Sequence, residues 1–170
     1  RPSLKFYESR VEGSSPLQRW EIPDQGEHKA TAVAQRRPVV EKLRLSRNTP
    51  LEEYRFVSQV AQPPAKVTLI GPDRISQRFD WQKSRAVYPN MDEFMADVVK
   101  VEREIIAGLV DAGCRYIQID APGYTAYVDK PSLDAMRARG ENPDENFSRS
   151  LKADNAIIDG FDNVTFGIHL

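Results

Sequence analysis

The chain has 170 residues, 40% of them hydrophobic and 29% charged, as expected of one ordinary globular domain. Its net charge of −1 excludes the basic footprint of a nucleic-acid-binding protein, and no apolar run approaches the ~20 residues of a membrane span. A single cysteine, Cys114, excludes an internal disulfide framework and any zinc-finger pattern. Because the opening residues lack a signal-peptide pattern, we expect a cytoplasmic protein that binds neither nucleic acid nor membrane.

Pro, Gly and Ser recur throughout residues 1–48, which predicts irregular structure. Two stretches within them look extended, residues 29–35 and residues 38–45, and could form a hairpin-like excursion. The regular pattern starts at residue 49. We therefore predict an irregular excursion over 1–48 and a set of βα units over 49–170.

The first strong helix signal is a capping box with Thr49 as N-cap, Pro50 at the first helical position and Glu52 three residues after the cap. A strand over 66–70 follows. Further capping boxes at Asn90 and Asn142 start two more helices, because apolar residues recur after them at three- and four-residue spacing. The remaining predicted elements are a short helix and two strands, at 132–139, 114–120 and 163–170.

The alternation of helices and strands predicts parallel strands joined by crossover helices, either in an open doubly wound sheet or in an eight-stranded (β/α) barrel. Gln118 and Asp120 lie on one face of their strand, and His169 lies on the corresponding face of the last strand. A parallel strand between two helix layers is apolar on both faces, whereas these strands are apolar on one face only. The pattern favours a barrel whose interior accepts polar groups.

Asp120 and His169 end their strands, where barrel enzymes build their active sites, so we expect both to face one mouth at similar depth. From the residues alone the alternatives stay open. His169 is either a ligand or a buried histidine bonded to the backbone. Asp120 either contacts a ligand or caps the following turn. Gln118 either supports Asp120 or has a structural role.

Four other residues have simpler interpretations. Cys114 opens its strand at the opposite end from Asp120, which indicates a small buried apolar side chain rather than a nucleophile. His28 lies in the irregular start, where a solvated histidine is expected. Trp20 and Trp81 are either packing or pocket residues. No glycine-rich phosphate loop follows any strand, which disfavours nucleotide binding.

Several segments resemble one known family in their order and spacing. They are "KVTLIGPDRI", "AGCRYIQIDAPGYTAYVD", "ARGENPDENFSRSLKADNAI" and "NVTFGIHL". Together they resemble the catalytic domain of cobalamin-independent methionine synthase and its shorter relatives, over about residues 60–170.

The resemblance implies a (β/α)₈ TIM barrel with zinc at the carboxyl end of its strands, where a thiol such as homocysteine is methylated by a methyltetrahydrofolate in methionine biosynthesis. It places His169 at the first zinc ligand and Asp120 at the residue that holds the substrate amino group. No residue of this chain is assigned as a general base, because zinc supplies the thiolate. Ala121 departs from the glutamate that the family usually has there.

Three βα units fall short of the ~250 residues that a closed barrel takes, so the chain is expected to be an incomplete barrel. We expect the remainder of the barrel to come from the same or another chain, and this piece alone to be an inactive methyltransferase fragment. Two alternatives remain. One is a catalytically inactive or ligand-binding relative, and the other is a zinc-free enzyme similar to uroporphyrinogen decarboxylase.

Overall fold

The computed structural model describes the side chains of residues 36–62 and 64–170, and only the backbone of the strands β1 (Gln18–Trp20) and β2 (Ala32–Ala34). β1 and β2 pair antiparallel. The predicted pairing of 29–35 with 38–45 is therefore wrong, and 38–45 contain no helix or strand. Side chains from other parts of the chain hydrogen-bond to backbone amides of residues 38–45 instead.

The side-chain contacts of this segment explain why it is not a strand. The Val39 amide donates to Ser84 Oγ at 2.8 Å, and the Leu43 amide donates to the Tyr88 hydroxyl at 2.7 Å. These bonds satisfy backbone groups that a strand would have paired with a neighbour. The extended sequence thus packs along the helices as a coil.

Beyond it, helices and strands alternate along the chain. The elements are α1 (Thr49–Val60), β3 (Val67–Ile70), α2 (Pro72–Gln77), α3 (Trp81–Ser84), α4 (Met91–Asp111), β4 (Tyr116–Asp120), a 3₁₀ helix (Pro122–Tyr127), α5 (Lys130–Ala138), α6 (Pro143–Ile158) and β5 (Thr165–His169). Sequence patterns did not predict α2, α3 or the 3₁₀ helix, which are too short to show a hydrophobic period.

The helix caps decide where the longer helices begin. Asn90 and Asn142 cap α4 and α6 as predicted. The prediction of Thr49 as the cap of α1 is wrong, because Asn48 takes this role. Its Oδ1 accepts from the Leu51 amide at 3.0 Å while its Nδ2 donates to the Ile105 carbonyl at 3.2 Å. Only an amide side chain can both cap α1 and bind α4 in this way.

The strands β3, β4 and β5 form a parallel sheet in that order. Helix α4 connects β3 to β4, and α6 connects β4 to β5, so the predicted parallel pairing is confirmed. In the described part of the chain, β3 and β5 pair with no strand on their outer edges.

The two faces of the sheet differ. Its apolar face packs on the helices in one core, made of Leu69, Val101, Ile105, Ile106, Leu109, Cys114, Ile117, Ile119 and Ile157. On the opposite face, Thr68, Gln118 and Gly167 form one row across the strands, and Ile70, Asp120 and His169 form the next. Thr68 and His169 are exposed. The polar face is therefore accessible, as the parity of the strands predicted.

A second core lies under the loops at the carboxyl end of the sheet. The ring centroids of Phe79 and Phe94 stack at 3.7 Å, and the Tyr88 ring meets both edge-on. The Tyr88 hydroxyl donates to Asp97 at 2.8 Å. This cluster fixes α2, α3 and the start of α4 against one another.

Candidate functional site

Asp120 and His169 are partners across β4 and β5, at the carboxyl end of the polar face. His169 Nδ1 contacts Asp120 Oδ1, and the side chains are 60% and 35% exposed. Backbone bonds extend past the strand ends, from the Gly71 amide to Asp120 O at 2.9 Å and from the Ala121 amide to His169 O at 2.8 Å. Both strand ends are thus held in register with their side chains open to the same face.

Gln118 lies one row further from the strand ends than Asp120. Lys66 Nζ donates to Gln118 Oε1 at 2.7 Å and lies 5.8 Å from the centre of the Tyr116 ring. The structure therefore joins Gln118 to a lysine at the start of β3. The same polar face carries all three residues that the sequence singled out.

The pairing determines which histidine nitrogen is available to a ligand. A carboxylate at Nδ1 favours the tautomer with the proton on Nδ1, which leaves Nε2 with a free lone pair. Within residues 36–62 and 64–170, no three His, Cys, Asp or Glu side chains are grouped so as to hold a metal ion. The pair could supply an imidazole nitrogen and a carboxylate oxygen, whereas zinc takes four ligands.

Ala121, where the resembled family usually has glutamate, is fully buried. A β-carbon built on Gly71 would lie 3.5 Å from Ala121 Cβ and 3.0 Å from Ile119 Cγ2. The methyl group therefore packs against the β3 end instead of lining the open face. A glutamate would have no room here without rearrangement.

A buried carboxylate lies behind the strand ends. Asp73 is fully buried, and its Oδ1 accepts from the Tyr127 hydroxyl and from Ser150 Oγ, both at 2.7 Å. Its Oδ2 accepts from Gln77 Nε2 at 3.0 Å. We call these four side chains the carboxylate anchor. Burial raises the pKa of Asp73, although the bonds from Ser150 and Tyr127 oppose the rise.

The carboxylate anchor joins three elements and reaches the segment after Asp120. Asp73 and Gln77 belong to α2, Tyr127 to the 3₁₀ helix and Ser150 to α6. Gln77 Nε2 also donates to the Gly123 carbonyl at 3.1 Å, three residues beyond Asp120. The 3₁₀ helix is therefore fixed at both ends.

A second carboxyl holds the same 3₁₀ helix. The Tyr124 hydroxyl donates to Asp154 Oδ2 at 2.6 Å, while the buried Asp154 Oδ1 has no hydrogen-bond partner among the described residues. Burial raises the pKa of Asp154 to about 6; the Tyr124 bond opposes the rise, and the charge of Asp73 adds to it. The protonated form is thus favoured relative to an ordinary aspartate.

No sequence pattern predicted a site at Asp73, Tyr124, Tyr127 or Asp154. Asp73 follows Gly71-Pro72, a sequence typical of the turn that ends a strand. The spacing of Tyr124 and Tyr127 could have indicated that both face the same way, because side chains three residues apart align on a 3₁₀ helix. In the structure their ring centroids are 6.1 Å apart.

A small cavity lies on the helix side of the strand ends. It encloses about 70 Å³ between α2, α3, α4, α5 and α6, and its wall includes Trp81, Met95, Tyr127, Met136 and Arg149. The Trp81 ring lies 4.3 Å from the Arg85 guanidinium. Trp81 is therefore both a pocket and a packing residue.

Three further residues were considered in the sequence: Cys114, Trp20 and His28. Cys114 is fully buried, as predicted, and burial raises the pKa of its thiol. The side chains of Trp20 and His28 lie outside the described residues. No described helix is long and apolar enough to cross a membrane.

Sequence comparison relates the chain to longer proteins. It is 26% identical to the uncharacterised Bacillus subtilis protein YxjH over 145 residues and 29% identical to YxjG of the same organism over 155 residues. It is 27% identical over 123 residues to a methionine synthase from Saccharolobus solfataricus, covering 70% of this chain and 33% of that protein. The matches cover 84% and 87% of this chain but only 38% and 40% of the two Bacillus proteins. No family model matches the chain.

Solved structures share the fold. A candidate vitamin-B12-independent methionine synthase from Listeria monocytogenes superimposes with a TM-score of 0.62 at 17% identity, covering 79% of this chain and 40% of that one. A B12-independent methionine synthase from Shewanella sp. W3-18-1, in complex with selenomethionine, gives 0.60 at 17% identity, covering 96% and 41%. The chain is therefore a mixed α/β protein with a methionine-synthase-like fold.

Proposed function

We propose that this chain belongs to an enzyme that transfers a methyl or other alkyl group to a thiol, homocysteine or a similar compound, at a zinc site. The supporting observation is the contact between Asp120 and His169 at the carboxyl ends of adjacent parallel strands, on an accessible polar face. The similarity to the Saccharolobus methionine synthase supports the same reaction class. Methyltetrahydrofolate is the methyl donor that this class suggests.

The donor chemistry of the pair fits zinc. His169 would hold the ion through Nε2, because Asp120 occupies Nδ1, and a carboxylate behind a ligating histidine strengthens it as a ligand. Bound zinc would lower the pKa of the substrate thiol and so present a thiolate for alkylation. Asp120 would also attract the amino group of an amino-acid substrate. Gln118, held by Lys66, keeps the next row polar.

We further propose that the three strands form part of a (β/α)₈ barrel, completed by polypeptide of the same or another chain. Tyr116 at the start of β4 and Ile168 in β5 are both exposed. This exposure supports the proposal, because adjoining strands and helices of a closed barrel would cover both side chains. The remaining zinc ligands would come from that polypeptide. We expect the 170 residues alone to be inactive. A reducing compartment such as the cytoplasm would keep the substrate thiol free.

Zinc analysis combined with thiol alkylation tests this proposal. The protein is isolated with whatever polypeptide accompanies it in the cell, and zinc and homocysteine methylation are measured. We expect stoichiometric zinc and activity, both lost in His169→Ala and both retained in His28→Ala, the only other histidine. An absence of zinc in the wild-type assembly would exclude the proposal.

A second candidate is a binding protein that keeps the fold without the chemistry. Ala121 favours it, because this side chain offers no charge at the strand end. This protein would bind an amino-acid thiol without alkylating it and without needing zinc. Isothermal titration with homocysteine, before and after chelation, distinguishes the two candidates.

A further inference from the structure

The segment that follows Asp120 is held by more polar contacts than a surface connection needs. Gly123, the third residue after Asp120, accepts through its carbonyl from Gln77. Tyr127, four residues further along the chain, donates through its hydroxyl to Asp73. A fully buried carboxylate is costly unless several donors satisfy it. Asp73 has three donors, and they come from three different elements.

The contact geometry leaves little freedom in this segment. A β-carbon on Gly123 would lie 2.5 Å from Gln77 Nε2 and closer still to Asp73 Oδ2. The backbone at Gly123 therefore rests directly on the carboxylate anchor. Tyr124, one residue further, is bonded to Asp154. Displacement of Asp73 would release the 3₁₀ helix close to its start.

The pair on the open face has few constraints of its own. The Asp120 carboxylate contacts His169, and the two side chains face solvent. Their relative position is set by the backbone on either side. On the β4 side that backbone continues within one residue into the 3₁₀ helix.

We propose that the carboxylate anchor, centred on Asp73, is a positioning device that holds Asp120 against His169 through the 3₁₀ helix. Asp73 touches neither side chain of the pair and acts through Gly123 and Tyr127. This role deepens the proposed function, because an imidazole must be oriented to act as a ligand. It can nevertheless be tested on the pair without any catalysis.

The imidazole resonances of His169 report the contact directly. The spectra are recorded on the protein isolated with the polypeptide that accompanies it in the cell, after chelation of metal. In a His28→Asn background His169 is the only histidine of these 170 residues, and its ring nitrogen and carbon signals are identified by their loss in His169→Ala. Asp120→Ala provides the reference spectrum of an unpaired His169. Tyr127→Phe removes one donor to Asp73, and Ser150→Ala removes another while disturbing the packing less.

Tyr88→Phe is the matched control. It removes a tyrosine hydroxyl that donates to a carboxylate, Asp97, at 2.8 Å, outside the carboxylate anchor. We expect Tyr127→Phe and Ser150→Ala to move the His169 signals toward those of Asp120→Ala, and Tyr88→Phe to leave them in place. If Tyr127→Phe does not fold, Ser150→Ala decides the question.

Two results would overturn the positioning role. Unchanged His169 signals in the anchor variants would show that β4 and β5 alone place the pair. Equal movement in Tyr88→Phe would show a general loosening of the fold. Because no zinc or substrate is present, failure of the positioning role leaves the proposed reaction untouched. Conversely, loss of the reaction would leave a positive His169 result valid.

Discussion

The buried carboxyl of Asp154 makes stability depend on pH. Its pKa rises from the ordinary 3.8 to about 6, chiefly because burial disfavours the charged form. The folded state therefore holds this proton more tightly than the unfolded chain does. The resulting contribution to stability is fully present below pH 3.8 and is lost as the pH rises through about 6.

We expect Asp154→Asn to remove this dependence. The difference between the two pKa values corresponds to at most roughly 3 kcal/mol, and partial exposure of the side chain reduces the expected effect to about 1–2 kcal/mol. The asparagine Oδ1 can still accept from the Tyr124 hydroxyl. Relative to wild type, the variant should thus gain stability as the pH rises from about 4 to about 8.

The assay is urea unfolding of wild type and variant across that pH range, followed by circular dichroism. Asp162→Asn, in an exposed turn, controls for the loss of one negative charge. A stability difference between Asp154→Asn and wild type that stays constant with pH, or that moves against the variant at higher pH, would contradict this prediction. Such a result would mean that Asp154 is charged at little cost, despite its burial.

Three further predictions concern the strand ends and the core. Gly123→Ala should destabilise the fold by about 1–3 kcal/mol in thermal denaturation, because its methyl group collides with Gln77. The control Gly167→Ala should destabilise the fold much less, because its β-carbon would approach Tyr116 no closer than 3.7 Å. Ala121→Glu should lower stability by about 3 kcal/mol or more in urea unfolding, since it buries an unpaired charge; a neutral result would show that the site can open. Cys114 should react with a thiol reagent only as fast as the protein unfolds, and rapid labelling of the folded state would contradict its burial.

The long, periodic elements could be predicted from the sequence, because each had a local signal. Helix α4 has an asparagine capping box, an apolar stripe and Gly113 at its end, where φ is +96°. The parity of β4 and β5 predicted a polar face that includes Asp120 and His169. These features depend on neighbours in sequence, which a pattern captures.

What the sequence did not reveal depends on contacts between distant residues. Asn48 rather than Thr49 caps α1, because its amide also reaches the Ile105 carbonyl. The role of Asp73 depends on Ser150, 77 residues away, so a turn aspartate and a buried one look alike in sequence. Likewise, apolar and polar residues partly alternate over 38–45, as in a strand. The amides of Val39 and Leu43 nevertheless donate to side chains, those of Ser84 and Tyr88, and not to a neighbouring strand.

The most direct test of the zinc-thiol account is metal analysis of the natively isolated protein, with and without His169. We predict stoichiometric zinc in wild type and in His28→Ala, and its loss in His169→Ala. Equal zinc in wild type and His169→Ala would show that the β5 end is not part of the site. An absence of zinc from all three proteins would contradict the proposed zinc site.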